Sequence, residues 1–411
     1  MGFDVKKRYL YSIAFSHNFG RQMRFIAGPR QCGKTTIAKE QLKDENSDAF
    51  YYNWDKRIIK DRYRKEGDFL QADILNQEEK SEKIWVCFDE IHKQHKWKNI
   101  LKGFFDEHEN NIQFIITGSA RLDYFRKSGD SLAGRYFLFT LHPFMLAEYL
   151  GKTLKDIQPC TDAEELIKNM IRPKRYKQKE LDALLEFSGF PEPLLKANKL
   201  FSKKWHNEYI ERIVKEDVRD LSSIHGLEKV MDLIFLLPER IGSPLSINSL
   251  REDLEINFAT VKNYIRYLLL TYVIFEVPPY SKNRAPLVKK ERKIYFYDWV
   301  MIPNEAIRFE NFVAHELKAR INIWNELSPD TFSLFFVRSR TGEETDFLIT
   351  RNKIPFFLCE VKERASSIAS HHFLHGELLG GIPVIQIVRE DTIFTTQGNK
   401  GYIVSASRFF S

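Results

Sequence analysis

The chain has 411 residues, 43% hydrophobic, 29% charged and 14% aromatic, with 33 phenylalanines. It is long for one domain of about 100 to 200 residues and too rich in apolar and aromatic side chains for disorder. A net charge of +7 over this length is too small to declare an anionic partner by itself. The four cysteines, Cys32, Cys87, Cys160 and Cys359, lie far apart without a C-x-x-C pair. That spacing indicates neither a disulfide framework nor a thiolate zinc site and suits a reducing compartment. No apolar run approaches the roughly 18 residues of a membrane span, and the start, MGFDVKKRYLYSIAF, has no cleavable apolar core. The expectation is a cytoplasmic protein without membrane spans.

In chain order, short β-rich runs alternate with amphipathic stretches from MRFIA through AFYYN, IWVCFD, IQFIITG and YFLFTL. This predicts an α/β domain with a buried, largely parallel sheet over residues 1–140. Helical periodicity then dominates 141–225, a helical lid or connector punctuated by SGFPEP. Over 226–300, three predicted helices (EKVMDLIFLLPERI, INSLREDL, FATVKNYIRYLLL) precede two predicted strands (VIFEVPPY, KIYFYD), the order of a winged helix-turn-helix. Residues 301–411 open with the helix EAIRFENFVAHELKARINIW, followed by strands FSLFFVRS, DFLITRN, PFFLCEVK and IPVIQIV, a small α/β or α+β domain.

Gly28, Pro29, Arg30, Gln31, Cys32, Gly33, Lys34 and Thr35 satisfy G-x-x-x-x-G-K-[ST] between a predicted strand and a predicted helix, with Thr36 next. There the glycines let backbone N–H groups curl around phosphate, Lys34 reaches the terminal phosphates and the Thr35 hydroxyl holds Mg²⁺. ATP with Mg²⁺ is the expected ligand. Asp89 and Glu90 end an apolar strand, where a parallel sheet meets its ligand; Asp89 is placed to orient Mg²⁺ and Glu90 to act as general base. The same acidic pair would also serve as a helix cap. Thr117 and Ser119, at the end of IQFIITGS, suit a sensor of the γ-phosphate. Arg121 and Arg135 are alternative arginine fingers, with Arg135 preferred, and either is equally explained as a surface arginine.

Taken together and in order, GPRQCGKTT, FDEIHK, ITGSARLD, SLAGR, LHPFMLAEYL and SGFPEP resemble the prokaryotic AAA-type ATPases that carry a second conserved domain of unknown function. The resemblance covers nearly the whole chain. It implies an additional-strand P-loop core with the sensor strand between the P-loop strand and the Asp89 strand, a winged helix, a nuclease-like end and a homo-oligomer, a hexamer included. Cys32 departs from the aliphatic residue more usual there. Its thiol is expected near bound phosphates, so that alkylation would inhibit and ATP protect.

In the winged-helix reading Val261, Tyr264, Ile265 and Leu268 face the core, leaving Thr260, Lys262, Asn263 and Arg266 outward toward DNA. The predicted wing adds Lys282, Arg284, Lys289, Lys290, Arg292 and Lys293 against the single acid Glu291. A protein-interaction module with a solvated basic ribbon explains the same residues. In the last domain, Asp346, Glu360 and Lys362 form the D…E-x-K pattern of a PD-(D/E)xK nuclease, with Glu310 as accessory acid. The carboxylates would hold Mg²⁺ or Mn²⁺ and Lys362 would position water; a retained, non-cleaving scaffold is the alternative. His92 and His95 read as a solvated helix start, since no third ligand is evident. The combined reading is an ATP-hydrolysing AAA-type protein coupling nucleotide state to DNA binding or cleavage. Its rival is a non-cleaving, ATP-gated switch. Two basic stretches, 168–179 at +6 and 282–293 at +5, leave the rest of the chain slightly acidic.

Overall fold

The computed structural model describes residues 6–75, 84–118, 122, 132–172, 176–219, 226–281 and 291–411. They divide into two compact units, one of described residues within 8–142 with 270–272, the other of described residues within 143–269 and 273–411 together with residues 6 and 7.

In the first unit five strands, β1 (Met23–Ala27), β2 (Tyr51–Asn53), β3 (Ile84–Asp89), β4 (Ile112–Thr117) and β5 (Tyr136–Thr140), form a sheet in the order β2-β3-β4-β1-β5. Every pair is parallel, and β4 lies between β1 and β3, the strand order expected above. Each residue of β1, β3 and β4 is buried, which is why these strands are uninterrupted apolar runs instead of alternating ones. Phe104, on the helix Trp97–His108, packs its ring against Phe88 of β3 and Phe69 at 5.3 and 5.7 Å. Aromatic pairs of this kind add about 0.5–1.5 kcal/mol each beyond area burial.

Arg24 is a charge inside this core, fully buried on β1. Its guanidinium donates to the carbonyls of Ala14 at 2.8 Å, Gly20 at 3.1 Å and Phe19 at 3.3 Å, and to that of Gln22. Burial lowers its pKa to about 10, and the cluster of carbonyls compensates the loss of water. A single side chain thus ties the segment preceding β1 to the sheet.

The second unit begins with helices Ala163–Ile171, Gln178–Phe187, Pro191–Lys196 and Lys199–Arg212, the last running into a wider π turn at Ile213–Val218. Helices Leu227–Leu236, Ile247–Asp253 and Phe258–Leu270 follow, then the antiparallel ribbon of β6 (Ile274–Val277) and β7 (Lys293–Phe296). The helix Glu305–Leu327 leads into β8 (Phe332–Arg338), β9 (Glu344–Arg351) and β10 (Ile354–Lys362), an antiparallel meander. After the helix Ser370–Leu378, β11 (Val384–Val388) and β13 (Gly401–Ser405) extend the sheet in parallel, and β12 (Phe394–Gln397) closes the edge, giving the order β12-β13-β11-β10-β9-β8. The connector helices are stitched to this domain: Trp299 Nε1 donates to the Leu184 carbonyl and Trp324 Nε1 to that of Ile157, both at 2.8 Å. Among the described residues no helix is long and apolar enough to cross a membrane.

The helix Glu305–Leu327 carries buried polar residues on its core side. Asn311 clasps Phe296 of β7 from both directions, its amide donating to the carbonyl at 2.8 Å while its oxygen accepts from the N–H at 2.7 Å. Glu316 is fully buried and accepts from the Leu146 N–H at 2.6 Å. Burial raises its pKa from 4.5 to about 8, against the downward pull of Arg320. The folded state therefore keeps a proton that the unfolded chain releases above pH 4.5, so this contribution is complete below that pH and is lost as pH rises through about 8. The Glu316→Gln variant is expected to flatten the decline in unfolding free energy across this window by on the order of 1 kcal/mol per pH unit. Urea unfolding of both proteins at a series of pH values measures it; an unchanged slope would mean that Glu316 is ionised in the fold.

Candidate functional site

Strand register places the first site. Asn53, Asp89, Thr117 and Ile26 are consecutive Cα partners across β2, β3, β4 and β1, so one row of the sheet ends beside the loop that follows Ala27. That loop turns through left-handed backbone at Gly28 (φ 137°), Gln31 (φ 59°) and Gly33 (φ 105°) before the helix Lys34–Asp44. A Cβ on Gly28 would stand 2.2 Å from the Leu141 carbonyl oxygen, so glycine is required there. The buried Lys34 ammonium donates to the carbonyls of Gly28 at 3.0 Å and Pro29 at 2.6 Å, lying across the concavity of its own loop. Pro29 is buried and Arg30 half-buried, while Gln31 and Thr36 are exposed.

Asp89 gathers hydroxyl groups. Its carboxylate accepts from Thr35 Oγ1 at 3.1 Å and from the hydroxyls of Tyr51 and Thr117. Burial, with the Asp89 carboxylate next, raises the Tyr51 pKa, so its proton stays on the hydroxyl as a donor. Tyr51 had no signal in the sequence; it looked like one more aromatic in a β-rich run. The donor set suits Mg²⁺: a threonine hydroxyl and a carboxylate meet beside the loop that precedes the helix Lys34–Asp44.

Glu90 has left-handed backbone (φ 60°, ψ 23°), unusual for a non-glycine residue and a form of strain found at functional sites. Its N–H donates to the Thr117 carbonyl at 3.0 Å. Its carboxylate lies 3.4 Å from Lys93 Nζ and 3.5 Å from His92 Nε2. Burial raises its pKa, partly offset by Lys93 and Lys34. His92 is buried against Gly118, where a Cβ would come within 2.6 Å of its Nδ1. This corrects the reading of His92 as solvated; only His95 is exposed.

One further expectation fails here on geometry, and for Arg135 the geometry bears on which chain's site it could reach. The Cys32 thiol is fully buried and faces the Leu141 carbonyl at 3.5 Å, so in this fold it is closed to an alkylating reagent. What Cys32 contributes is its backbone, whose carbonyl accepts from the buried Arg8 at 2.8 Å. Arg135 donates to both Asp106 oxygens at 2.7 and 3.2 Å and precedes Tyr136, the partner of Met23 at the start of β1. It therefore sits at the sheet edge opposite its own P-loop, about 16 Å away at a strand rise of about 3.3 Å per residue. Ser119 and Arg121 lie outside the described residues, as do Lys282, Arg284, Lys289 and Lys290.

On the helix Phe258–Leu270, Val261, Tyr264, Ile265 and Leu268 are buried and Lys262, Asn263 and Arg266 exposed, as the periodicity required. Thr260, half-buried, is held at the helix start by Asn257, whose Oδ1 caps the helix by accepting from the Thr260 N–H and hydroxyl at 2.8 and 3.0 Å. Arg292 is paired with Glu276 at 2.5 Å.

Lys293 is the largest correction. It does not project toward DNA: its side chain is 1% exposed, and its ammonium lies 2.5 Å from Glu344, 3.7 Å from Glu310 and 3.7 Å from Asp346. Burial alone would lower its pKa, but these three carboxylates raise it. Asp346 and Glu360 do come together across β9 and β10, Asp346 accepting from the Val361 N–H at 2.9 Å. Lys362 Nζ meets Glu360 at 2.5 Å. Burial, with the Asp346 carboxylate next, raises Glu310 to about 7 and Glu360 to about 8. His372, kept neutral mainly by burial at a pKa of about 3, lies 3.4 Å from Glu360. Its signal was the spacing of HHFLH on one helix face. The donor set does not fit a divalent ion in this arrangement, because an ammonium already stands among the oxygens. Among the described residues, three histidine, cysteine or carboxylate ligand atoms come within 4.8 Å of one another only at Asp68, Glu107 and His108.

Comparison with known proteins agrees with the first site. Residues 20–150 match the family model described as an AAA domain, and residues 178–303 match a domain of unknown function, DUF8612. Two uncharacterised proteins of Methanocaldococcus jannaschii are similar: one is 28% identical over 71% of this chain and 65% of its own length, the other 26% identical over 80% and 72%. The chain thus matches just under two thirds of the first. Among solved structures, the Orc1 protein of Aeropyrum pernix in complex with DNA is 14% identical over 76% of this chain and 92% of its own, at a TM-score of 0.28. So weak a superposition carries no argument. The match to an AAA domain over residues 20–150 thus falls on the part of the chain that carries the Gly28–Thr35 loop and Asp89.

Proposed function

We propose that the chain is an Mg²⁺-dependent ATP hydrolase whose nucleotide state governs engagement of nucleic acid through residues 226–300, in a homo-oligomer of the cytoplasm. The observation that carries this reading is the cluster in which Thr35, Tyr51 and Thr117 all bond to Asp89 beside the Lys34 loop. Backbone N–H groups at the start of the helix Lys34–Asp44 receive the terminal phosphates, and Lys34 exchanges two carbonyls for phosphate oxygens. Thr35 and Asp89 would hold Mg²⁺, which when bound neutralises phosphate charge. Glu90 takes the proton of the attacking water as its oxygen bonds to the γ-phosphorus and the bond to the bridging oxygen breaks, releasing ADP and phosphate. Thr117 orients Asp89 from the neighbouring strand. Arg135, at the far edge of its own sheet, serves as a finger only for a neighbouring copy.

The exposed Lys262, Asn263 and Arg266 on one helix face support contact with DNA backbone. A second reading, a nucleotide switch whose nuclease-like end is a non-cleaving scaffold, is favoured by the ammonium of Lys293 among the carboxylates that cleavage would need.

Glu90→Gln is expected to bind ATP while losing hydrolysis by at least about 100-fold, read as phosphate release beside nucleotide binding. Hydrolysis within a factor of three of the parent would remove Glu90 from the mechanism. If output needs the cycle it fails with this variant; a switch locks on. For the nucleic-acid face, Lys262→Ala with Arg266→Ala should make the slope of log affinity against log salt shallower by about 2 on duplex DNA, close to one for each phosphate no longer neutralised. Fluorescence anisotropy at several salt concentrations measures it, and an unchanged slope places DNA elsewhere.

A further inference from the structure

The carboxylate centre at β9 and β10 departs from a metal site in one respect: the cation it holds belongs to the chain. Glu310 comes from the long helix, Glu344 and Asp346 from β9 and Glu360 from β10, whereas Lys293 arrives from the separate ribbon. Its delivery is fixed at several points. Lys293 pairs with Val277 within the ribbon and forms an isolated bridge with Pro244. The Leu245 N–H donates to the Arg292 carbonyl at 2.9 Å, and Asn311 clasps Phe296 three residues on. Tyr295, next but one along β7 and therefore on the same face, donates to Glu310 at 2.8 Å. Gly242, with φ +78°, closes the other flank: a Cβ there would lie 2.9 Å from a Glu310 oxygen.

We propose that Lys293 is a tethered cation occupying the place of a divalent ion, so that this centre takes Mg²⁺ or Mn²⁺ only in exchange for the lysine.

Three partly buried acidic side chains converging on one point demand positive charge. A divalent ion meets that demand through oxygens at about 2.0–2.6 Å. An ion bonded to the same oxygens that surround Nζ at 2.5–3.7 Å would stand in near contact with the ammonium, a like charge at short range in a poorly solvated place. The two occupants are therefore mutually exclusive. Lys362 does not play this part, since it is half-exposed and bound to Glu360 alone among the carboxylates. The consequence is a D…E-x-K centre held closed by the β6–β7 ribbon, opened by whatever draws β7 away from Asn311. The inference rests on reading Asp346, Glu360 and Lys362 as a nuclease-like centre, and is independent of ATP hydrolysis.

The test is Mn²⁺ binding to the full chain without nucleotide, counted by electron paramagnetic resonance for the parent, Asp346→Asn, Lys293→Met and the double variant. The parent and Asp346→Asn should bind the same number of ions. Lys293→Met should gain one site at least tenfold tighter than any Asp346-dependent binding in the parent, and the double variant should lose it. An Asp346-dependent site already present in the parent overturns the proposal, because metal and lysine would then coexist. Failure of folded Lys293→Met to gain a site also overturns it. Should Lys293→Met not fold by circular dichroism, Lys293→Gln takes its place with the same outcomes. Phosphate release from ATP, measured on the same samples, separates this result from the reading of the P-loop site.

Discussion

A charge removed from water must be answered, and in this protein the answers organise both units. Arg24 is answered by backbone carbonyls, and in consequence the segment before β1 is bound to the sheet. Glu316 is answered by a proton and one N–H, Asp89 by three hydroxyls, and the Glu310, Glu344 and Asp346 group by Lys293. The type of answer separates scaffold from site. Hydroxyls leave a carboxylate charged and able to exchange them for an ion, whereas a buried ammonium removes the need for one.

Register does the remaining work in the P-loop unit. Because β1, β3 and β4 are parallel and in step, Asp89, Thr117 and the loop after Ala27 arrive at one edge without any long-range loop having to be ordered. The same regularity sends Arg135 to the opposite edge. An arginine near a P-loop in sequence can therefore be remote from it in space, and only pairing partners reveal which.

Much of the first site was legible because its motif is local. GPRQCGKT dictates its own loop, and a carboxylate at the end of an apolar strand needs only the strand's direction to be placed. The core face of the helix Phe258–Leu270 was equally legible, since a period of 3.6 residues is a local property. Tyr51 was not legible, because its role exists only through its position beside β3. Cys32 misled because the side of a tight turn on which a side chain falls depends on left-handed neighbours that the residue types alone do not place. For Thr260 only the structure shows that its hydroxyl donates to Asn257, the residue whose side chain caps the helix start.

Lys293 marks the boundary between the two kinds of knowledge. By itself the sequence determined a phosphate-binding loop, an acidic strand end, the order of helices and strands, and a basic run at 282–293, since motif, periodicity and composition act over a few residues. The tertiary structure alone decided that the last residue of that run turns inward to three carboxylates contributed by the helix Glu305–Leu327 and β9. A lysine's charge is written in the chain, but whether water or an acid balances it depends on which distant segments fold against it.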